Sequence, residues 1–427
     1  MTKIPPPLEI RKRRMSIAGV SLAELASRHG TPVYVTSEKR VRDNYRRFCD
    51  AFRSCWHHFR AFYAVKANSN LSIMSVLRQE GAGADCSGIQ ELQLASMAKF
   101  KIADMLYTGV YNSDEELKFA SQLGVTVNLD DIGIFERLVR FGLPKRLSFR
   151  INPGFGKSEF KEMLCAGPES KFGVPEEVAW KCYAKAKRLG VKRFGIHMMP
   201  GSSVLDLAYF NRVTDRLLEI ASSVSERVGI EFEFVDIGGG FGVPHRPGEK
   251  PLDLAKLAVP VTARFKERFE DYVCPPYLYA EPGRYLIADS TVLLTRVNAV
   301  KHGKKRFVGV DAGMNTLLRP ALYGAYHEML VVGKSAERKK EKVDIVGPIC
   351  ENGDILAKDR LMPVIEKGDL IAIMNAGAYG YSMSSNYNAR PRAAEVLVSN
   401  GEDFLIRERE DITDILDRQR IPGRLLR

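Results

Sequence analysis

The sequence predicts an α/β protein: a (β/α)8 TIM barrel followed by a second, mostly antiparallel β domain. Eight short apolar runs, near residues 59–65, 82–85, 104–107, 125–129, 147–151, 192–196, 232–236 and 277–280, have the length and composition of buried strands. Helical patterns separate most of them: Leu71–Gln79, Ile89–Ala98, Asp114–Gln122, Ile132–Arg140, Pro175–Arg188, Leu205–Val228 and Leu252–Phe269. Eight strands with helical crossovers is the count of a closed barrel. After about residue 284 helical periodicity fades. Strand-like runs punctuated by Gly and Asn follow: Thr291–Val300, Arg306–Val310, Met329–Val332, Lys342–Val346, Leu370–Ile373 and Glu395–Val398.

The expected domains are a basic N-terminal arm over 1–35, packing on the β domain, the barrel over 36–284, and the β domain over 285–427. In the arm, Pro5-Pro6-Pro7 precedes a short helix, Leu22–His29, and the strand-like Pro32–Val35. Ser37–Phe52 has the pattern of a basic amphipathic helix. The loop from Asn152 to Gly173 exceeds an ordinary βα connection, which hints at function. Asp411–Arg418 reads as a short helix. No internal repeat beyond the barrel period and no low-complexity segment occurs.

With 427 residues, 45% hydrophobic and 27% charged, the chain has the composition of a globular protein with a sizeable core. Its net charge of +12 is scattered. The densest basic runs, Arg11–Arg14 and Arg338–Lys340, are not interleaved with aromatics, so no nucleic-acid partner is expected. The charge suits attraction of anionic small molecules. Seven cysteines with no CxxC pair argue against a disulfide framework or a zinc knuckle and suit a reducing compartment. No metal is expected. Met1–Leu25 has no apolar core of a signal peptide, and no apolar run approaches the roughly 20 residues of a membrane span. The expectation is a cytoplasmic protein with no membrane partner.

In a barrel, function sits at the carboxyl ends of the strands. Read in order, those ends are Lys66, Asp85, the stretch His197–Ser202, Gly238-Gly239-Gly240 and Glu281-Pro282-Gly283-Arg284. A lysine closing the core strand Phe59–Val65 needs a reason, because an unpaired buried ammonium is costly. It either snorkels to the rim or is an amine held in an apolar pocket to form a Schiff base. Three glycines between strand and helix are either a tight turn or a place where backbone N–H groups approach a phosphate. Glu281 is either a salt-bridge partner or the acid beneath a pyridine nitrogen, the partner that pyridoxal phosphate chemistry needs. Asp85 either orients water or the cofactor face or makes a structural hydrogen bond.

With these residues in view, the sequence resembles the diaminopimelate decarboxylase family, in the alanine-racemase-like (fold type III) class of pyridoxal-phosphate decarboxylases. The likeness covers roughly residues 30–400. It is carried by Tyr63-Ala64-Val65-Lys66-Ala67-Asn68, Asp236-Ile237-Gly238-Gly239-Gly240, Glu281-Pro282-Gly283-Arg284, Arg319-Pro320-Ala321-Leu322-Tyr323, the stretch Gly347–Asp354, and Gly377-Ala378-Tyr379-Gly380. The order of these motifs is specific; each alone is not.

The resemblance implies that Lys66 carries pyridoxal 5'-phosphate as a Schiff base. It implies a phosphate site from Gly238, Gly239, Gly240, Gly283 and Ser202, with Glu281 on the ring nitrogen and Pro282, Arg284 and Tyr379 at the cofactor. Cys350 is the implied proton donor after carbon dioxide leaves. Arg284, Arg319, Tyr323, Glu351 and Tyr379 are the implied substrate contacts. The implied assembly is a homodimer with shared active sites, Cys350 and Glu351 coming from the partner chain. Plainer readings stand beside these: Cys350 as a small buried hydrophobe, and Arg319 with Tyr323 as surface neighbours one helical turn apart. His302 and His327 read as structural.

Substrate choice follows from charge. Ornithine, lysine and arginine present only a cation at the far end, whereas the implied pocket contains two arginines. Diaminopimelate offers a carboxylate to those arginines and an ammonium to Glu351. Charge-assisted hydrogen bonds contribute about 1.5–3 kcal/mol each, and a buried unpaired charge costs about 3–5 kcal/mol. The expected reaction is therefore decarboxylation of meso-2,6-diaminopimelate to L-lysine. The alternatives are a decarboxylase of the same class for another amino acid with an anionic distal group, or a non-catalytic relative that binds the cofactor. One departure stands out. The family's His-x-His-Ile-Gly-Ser pattern reads His197-Met198-Met199-Pro200-Gly201-Ser202 here, so Met199 falls where the family has a ring-stacking histidine. A thioether packs on an aromatic face but does not supply a histidine's hydrogen bonding.

Overall fold

A computed structural model describes residues 4–11, 14–199, 201–269, 272–334 and 337–426. Lys12 and Arg13 of the basic run, and Pro200 of the His197–Ser202 stretch, lie outside the described residues. The chain forms two compact units. One comprises residues 41–244 and 248–287; the other comprises 1–40, 245–247 and 288–427.

The first unit is the barrel. Its strands are β1 (Phe59–Ala64), β2 (Gly83–Cys86), β3 (Met105–Tyr107), β4 (Thr126–Leu129), β5 (Leu147–Asn152), β6 (Phe194–His197), β7 (Phe232–Asp236) and β8 (Tyr277–Ala280). All pair in parallel, β8 returns to β1, and Val127 opposite Leu147 joins β4 to β5, so the sheet closes. Crossover helices follow most strands: α1 (Leu71–Gln79), α2 (Ile89–Met97), α3 (Asp114–Leu123), α4 (Ile132–Leu138), α5 (Glu176–Arg188), α6 (Leu207–Val228) and α7 (Leu254–Phe269). Their starts are chemically marked. Asn70 accepts from the Ser72 N–H, Ser113 and Glu116 form a reciprocal capping box, and Asp131 and Asp206 cap α4 and α6. Inside the barrel, Phe62, Leu106, Phe234 and Tyr279 form one buried cluster. Gly195 leaves room for it: a Cβ there would stand 2.1 Å from the Phe234 ring. The loop after β5 contributes a short strand, Lys157–Ser158, that pairs in parallel with Gly201–Ser202.

The second unit is a mixed, mostly antiparallel sheet centred on the long strand Thr291–His302. That strand pairs antiparallel with Arg306–Val310, with Leu370–Ile373 and with Val33–Ser37. The strand-like Pro32–Val35 of the sequence reading thus belongs to a strand of this sheet. Val33–Ser37 lies between Thr291–His302 and Ala394–Ser399, and every one of its residues is buried. Leu8–Arg11 and Arg14–Ile17 form a hairpin, and Leu8, Met15 and Ile17 join the same apolar core as Val33 and Val35. Two strands, Ile355–Pro363 and Glu402–Arg407, have no counterpart in the sequence reading. Both carry charged residues along much of their length, which hides the period-2 signal. The tail helix spans Ile412–Leu416, capped by Asp411.

Candidate active site

The carboxyl ends of the barrel strands gather the chemistry. β1 runs into a single 3-10 turn, Val65–Ala67, which presents Lys66 at the strand end. Its Nζ lies 2.8 Å from Asp85 Oδ2 at the end of β2 and 3.5 Å from Ser87 Oγ. Gly283 abuts this turn: a Cβ there would stand 3.1 Å from those of Ala64 and Ala67. Glu281, after β8, is buried; its Oε2 lies 3.2 Å from His197 Nε2 at the end of β6.

The glycine turn after β7 is held from three directions. The Gly238 N–H donates to Asp236 Oδ1 at 2.8 Å, and the Gly238 carbonyl accepts from the Glu281 N–H at 2.8 Å. Gly238 and Gly240 have φ of 68° and 89°, in the region glycine favours. Gly239 owes its identity to space: a Cβ would stand 2.6 Å from the Glu281 carbonyl oxygen. A Cβ on Gly240 would stand 2.6 Å from the Gly201 carbonyl oxygen, beside Ser202. Backbone therefore meets backbone throughout the cradle. Met199 enters it as well: the Gly239 N–H points at its Sδ, 3.0 Å away.

Three buried carboxylates share this mouth, and burial alone would raise each of them. For Asp236 the charge of Glu281 adds to burial, and its carboxyl is held well above the usual range. Asp85 is also raised by burial and by Glu281, with the amine of Lys66 opposing. Glu281 goes the other way. Burial alone would raise it, but His197, Lys66 and Arg150 outweigh burial and hold it below the usual range. Of the two, Glu281 is therefore the group that gives up its proton more readily and Asp236 the one that holds it longer. His197, Asp236 and Glu281 each bring a donor atom within 4.8 Å of the others.

These residues fit pyridoxal phosphate. Lys66 brings an amine. Glu281 Oε1 is buried without a hydrogen-bond partner among the described residues, an acceptor suited to a ring N–H. The glycine turn admits a phosphate where it admits no side chain. Arg284, buried, begins a short helix directly after Pro282-Gly283.

The other expected residues lie in the second unit. Arg319 and Tyr323 open and close a five-residue helix that ends at Gly324, φ 68°. Arg319 is wholly buried, with Nη1 3.2 Å from His327 Nε2. His327 Nδ1 lies 2.8 Å from the Met374 carbonyl, which only accepts, so Nδ1 carries the hydrogen and Nε2 receives Arg319. Sequence reading expected Arg319 at the substrate; within one chain its guanidinium faces this histidine. Cys350 is exposed, unlike the buried small hydrophobe of the plainer reading, and Glu351 accepts from the Tyr387 hydroxyl at 2.5 Å. Tyr379 sits at φ 58°, a strained choice for an aromatic residue. Sequence reasoning missed Asp236 as a titrating group, the His197–Glu281 contact, and Tyr387 with Asn388. An acidic residue just before three glycines was the available signal for the first.

A closed barrel with an amine, a glycine cradle and a buried carboxylate at one mouth defines a pyridoxal-phosphate enzyme of the barrel type. Comparison with known proteins agrees. Residues 39–288 match the family described as pyridoxal-dependent decarboxylase, pyridoxal binding domain. The chain is 45% identical over 427 residues to the diaminopimelate decarboxylase of Methanothermobacter thermautotrophicus, covering 99% of both. The crystal structure of diaminopimelate decarboxylase from Methanocaldococcus jannaschii superposes with a TM-score of 0.90 at 33% identity, covering 98% of each chain. The Helicobacter pylori enzyme complexed with L-lysine superposes with a TM-score of 0.86 at 34% identity, covering 92% of this chain and 98% of that one. The chain belongs to the diaminopimelate decarboxylase family.

Proposed function

We infer that this protein removes one carboxylate of meso-2,6-diaminopimelate to give L-lysine and carbon dioxide. The observation that carries the inference is the meeting of Lys66, the Gly238–Gly240 cradle and Glu281 at one barrel mouth. Bound pyridoxal phosphate supplies the electron sink for loss of carbon dioxide. The protein's own groups do the rest. Lys66 anchors the cofactor through its amine, with Asp85 2.8 Å away to orient it. Glu281 stays ionised and holds a proton on the ring nitrogen; the raised Asp236 supports the turn without adding a second charge. Gly238, Gly239, Gly240, Gly283 and Ser202 cradle the phosphate, and Pro282, Arg284 and Tyr379 pack at the cofactor. Cys350 holds, at Sγ, the proton delivered to the substrate's α-carbon. Arg284, Arg319, Tyr323, Glu351 and Tyr379 recognise the substrate; its distal head needs both an anion acceptor site and a carboxylate partner, which a plain diamine precursor cannot use fully.

The working unit in this reading is a homodimer, with Cys350 and Glu351 entering the partner's site. Exposure of Cys350 and Glu351 on the single chain supports it. A cytoplasmic location is supported by seven free cysteines. Among the described residues no helix is long and apolar enough to cross a membrane.

The test is carbon dioxide release from purified protein with pyridoxal phosphate and a panel of amino acids. Release from diaminopimelate, and not from lysine, ornithine or arginine, is expected. Release only from another amino acid would move the assignment within the class, and none at all would leave a cofactor-binding protein. Borohydride reduction followed by peptide mass spectrometry should place the pyridoxyl group on Lys66 and lose it in Lys66→Ala.

A further inference from the structure

We propose that Asn388 is a positioning residue for Cys350, presenting its thiol and sustaining it in both protonation states. The proposal rests on the reading of Cys350 as proton donor. Asp354 pins the base of the Cys350 loop, accepting from the Met314 N–H at 2.6 Å and the Ile349 N–H at 2.7 Å. What holds the loop's reactive tip is a different element, the turn Tyr387–Ala389. Asn388 Oδ1 accepts from the Cys350 backbone N–H at 3.1 Å and lies 3.3 Å from Sγ; its Nδ2 lies 3.1 Å from Sγ.

One primary amide thus offers the sulfur an acceptor and a donor together. While the thiol holds its proton, S–H donates to Oδ1. When the S–H bond breaks and the proton forms a new C–H bond at the substrate's α-carbon, the electron pair stays on sulfur. The Nδ2–H is then in place to donate to the thiolate. The backbone is set for this job. Asn388 has φ 57° and ψ 29°, and Ala389 follows at φ 52°. Asparagine tolerates that region, whereas alanine rarely adopts it, so the turn carries strain of the kind found at functional sites. The neighbouring Tyr387 hydroxyl holds Glu351. Two successive residues of one strained turn therefore grip the two successive residues assigned to chemistry and recognition.

The experiment uses the full-length holoenzyme without substrate. Iodoacetamide alkylation of Cys350 is followed by peptide mass spectrometry across pH, with exposed Cys274 as internal reference. Asn388→Asp keeps an acceptor but puts a negative charge beside the sulfur. Cys350 alkylation should slow about fivefold near neutral pH, as expected for two charges roughly 4 Å apart in water, and the profile's midpoint should move up. Asn388→Gly keeps the positive φ and deletes the amide; its midpoint should move the same way by less. In both, kcat should fall with KM little changed. Tyr387→Phe should raise KM for diaminopimelate and leave Cys350 alkylation as it was. Superposable Cys350 profiles for the parent, Asn388→Asp and Asn388→Gly would overturn the proposal. A shifted profile in a protein that decarboxylates nothing would sink the functional reading alone; an active enzyme with unmoved profiles would sink this proposal alone.

Discussion

Gly239→Ala isolates the steric demand of the phosphate cradle. Gly239 has no positive φ, so alanine brings no backbone strain there. Its Cβ would stand 2.6 Å from the Glu281 carbonyl oxygen, about 0.8 Å short of ordinary contact at 3.4 Å. No flexible side chain is at hand to yield, because the clash is with backbone. The Glu281 N–H is itself tied to the Gly238 carbonyl at 2.8 Å, so relief requires the turn after β7 and the strand end of β8 to part. In the proposed site that movement would carry the cradle N–H groups away from the phosphate and Glu281 away from the ring nitrogen together. Overpacking of this size costs about 1–3 kcal/mol, which corresponds to roughly 5- to 150-fold in Kd. The assay is fluorescence titration of cofactor-free protein with pyridoxal phosphate, with thermal unfolding of the same samples. Gly303→Ala is the control, since a Cβ there meets nothing closer than 3.8 Å. Cofactor affinity within twofold of the parent in Gly239→Ala would refute the cradle.

Other expectations follow from the same mouth. Asp236→Asn mimics the protonated acid and keeps the oxygen that accepts from Gly238. Because the folded-state value of Asp236 is raised, its contribution to stability is fully present only below its unfolded value, about 3.9, and is lost as pH rises toward the folded one. The variant should gain melting temperature over the parent at about pH 8, with a smaller gain at about pH 5; an equal gain at both, or a loss at the higher pH, would contradict the placement of the proton. Glu281→Gln removes the charged ring partner and should lower kcat about 10²–10³-fold without unfolding the barrel, as steady-state assays and circular dichroism would show. Met199→Leu keeps volume and removes the sulfur that the Gly239 N–H faces. Losing a part-buried acceptor should destabilise the cofactor-free form by up to about 1 kcal/mol, while in the proposed site the phosphate would restore a partner on binding. Cofactor affinity should therefore tighten a few-fold, and weaker binding would show that the thioether supports the site rather than competing for that N–H.

Much of this was written along the chain. The eight strands are legible as short apolar runs and the seven crossover helices by their 3.6 period, some with a marked start such as Ser113 with Glu116 or Asn70 before Leu71. The residues at the strand ends, from Lys66 to Glu281, are legible because barrel geometry assigns every strand end to one mouth. Tertiary structure alone decided the rest. His197 and Glu281 are 84 residues apart, and no local pattern says that their side chains meet at 3.2 Å. Opposite shifts on Asp236 and Glu281 arise because burial raises both while His197, Lys66 and Arg150 outweigh it only at Glu281, a property of packing and not of either residue. Burial of Arg319 against His327, and the grip of Asn388 on Cys350, join segments 8 and 38 residues apart through loops whose paths have no period to read. Val33–Ser37 shows the same limit: its start reads as strand-like, but that it is a central strand buried at every residue follows only from Thr291–His302 and Ala394–Ser399 standing on either side. Local propensity names the element, while the partner that satisfies its backbone and buries its faces is chosen by the fold.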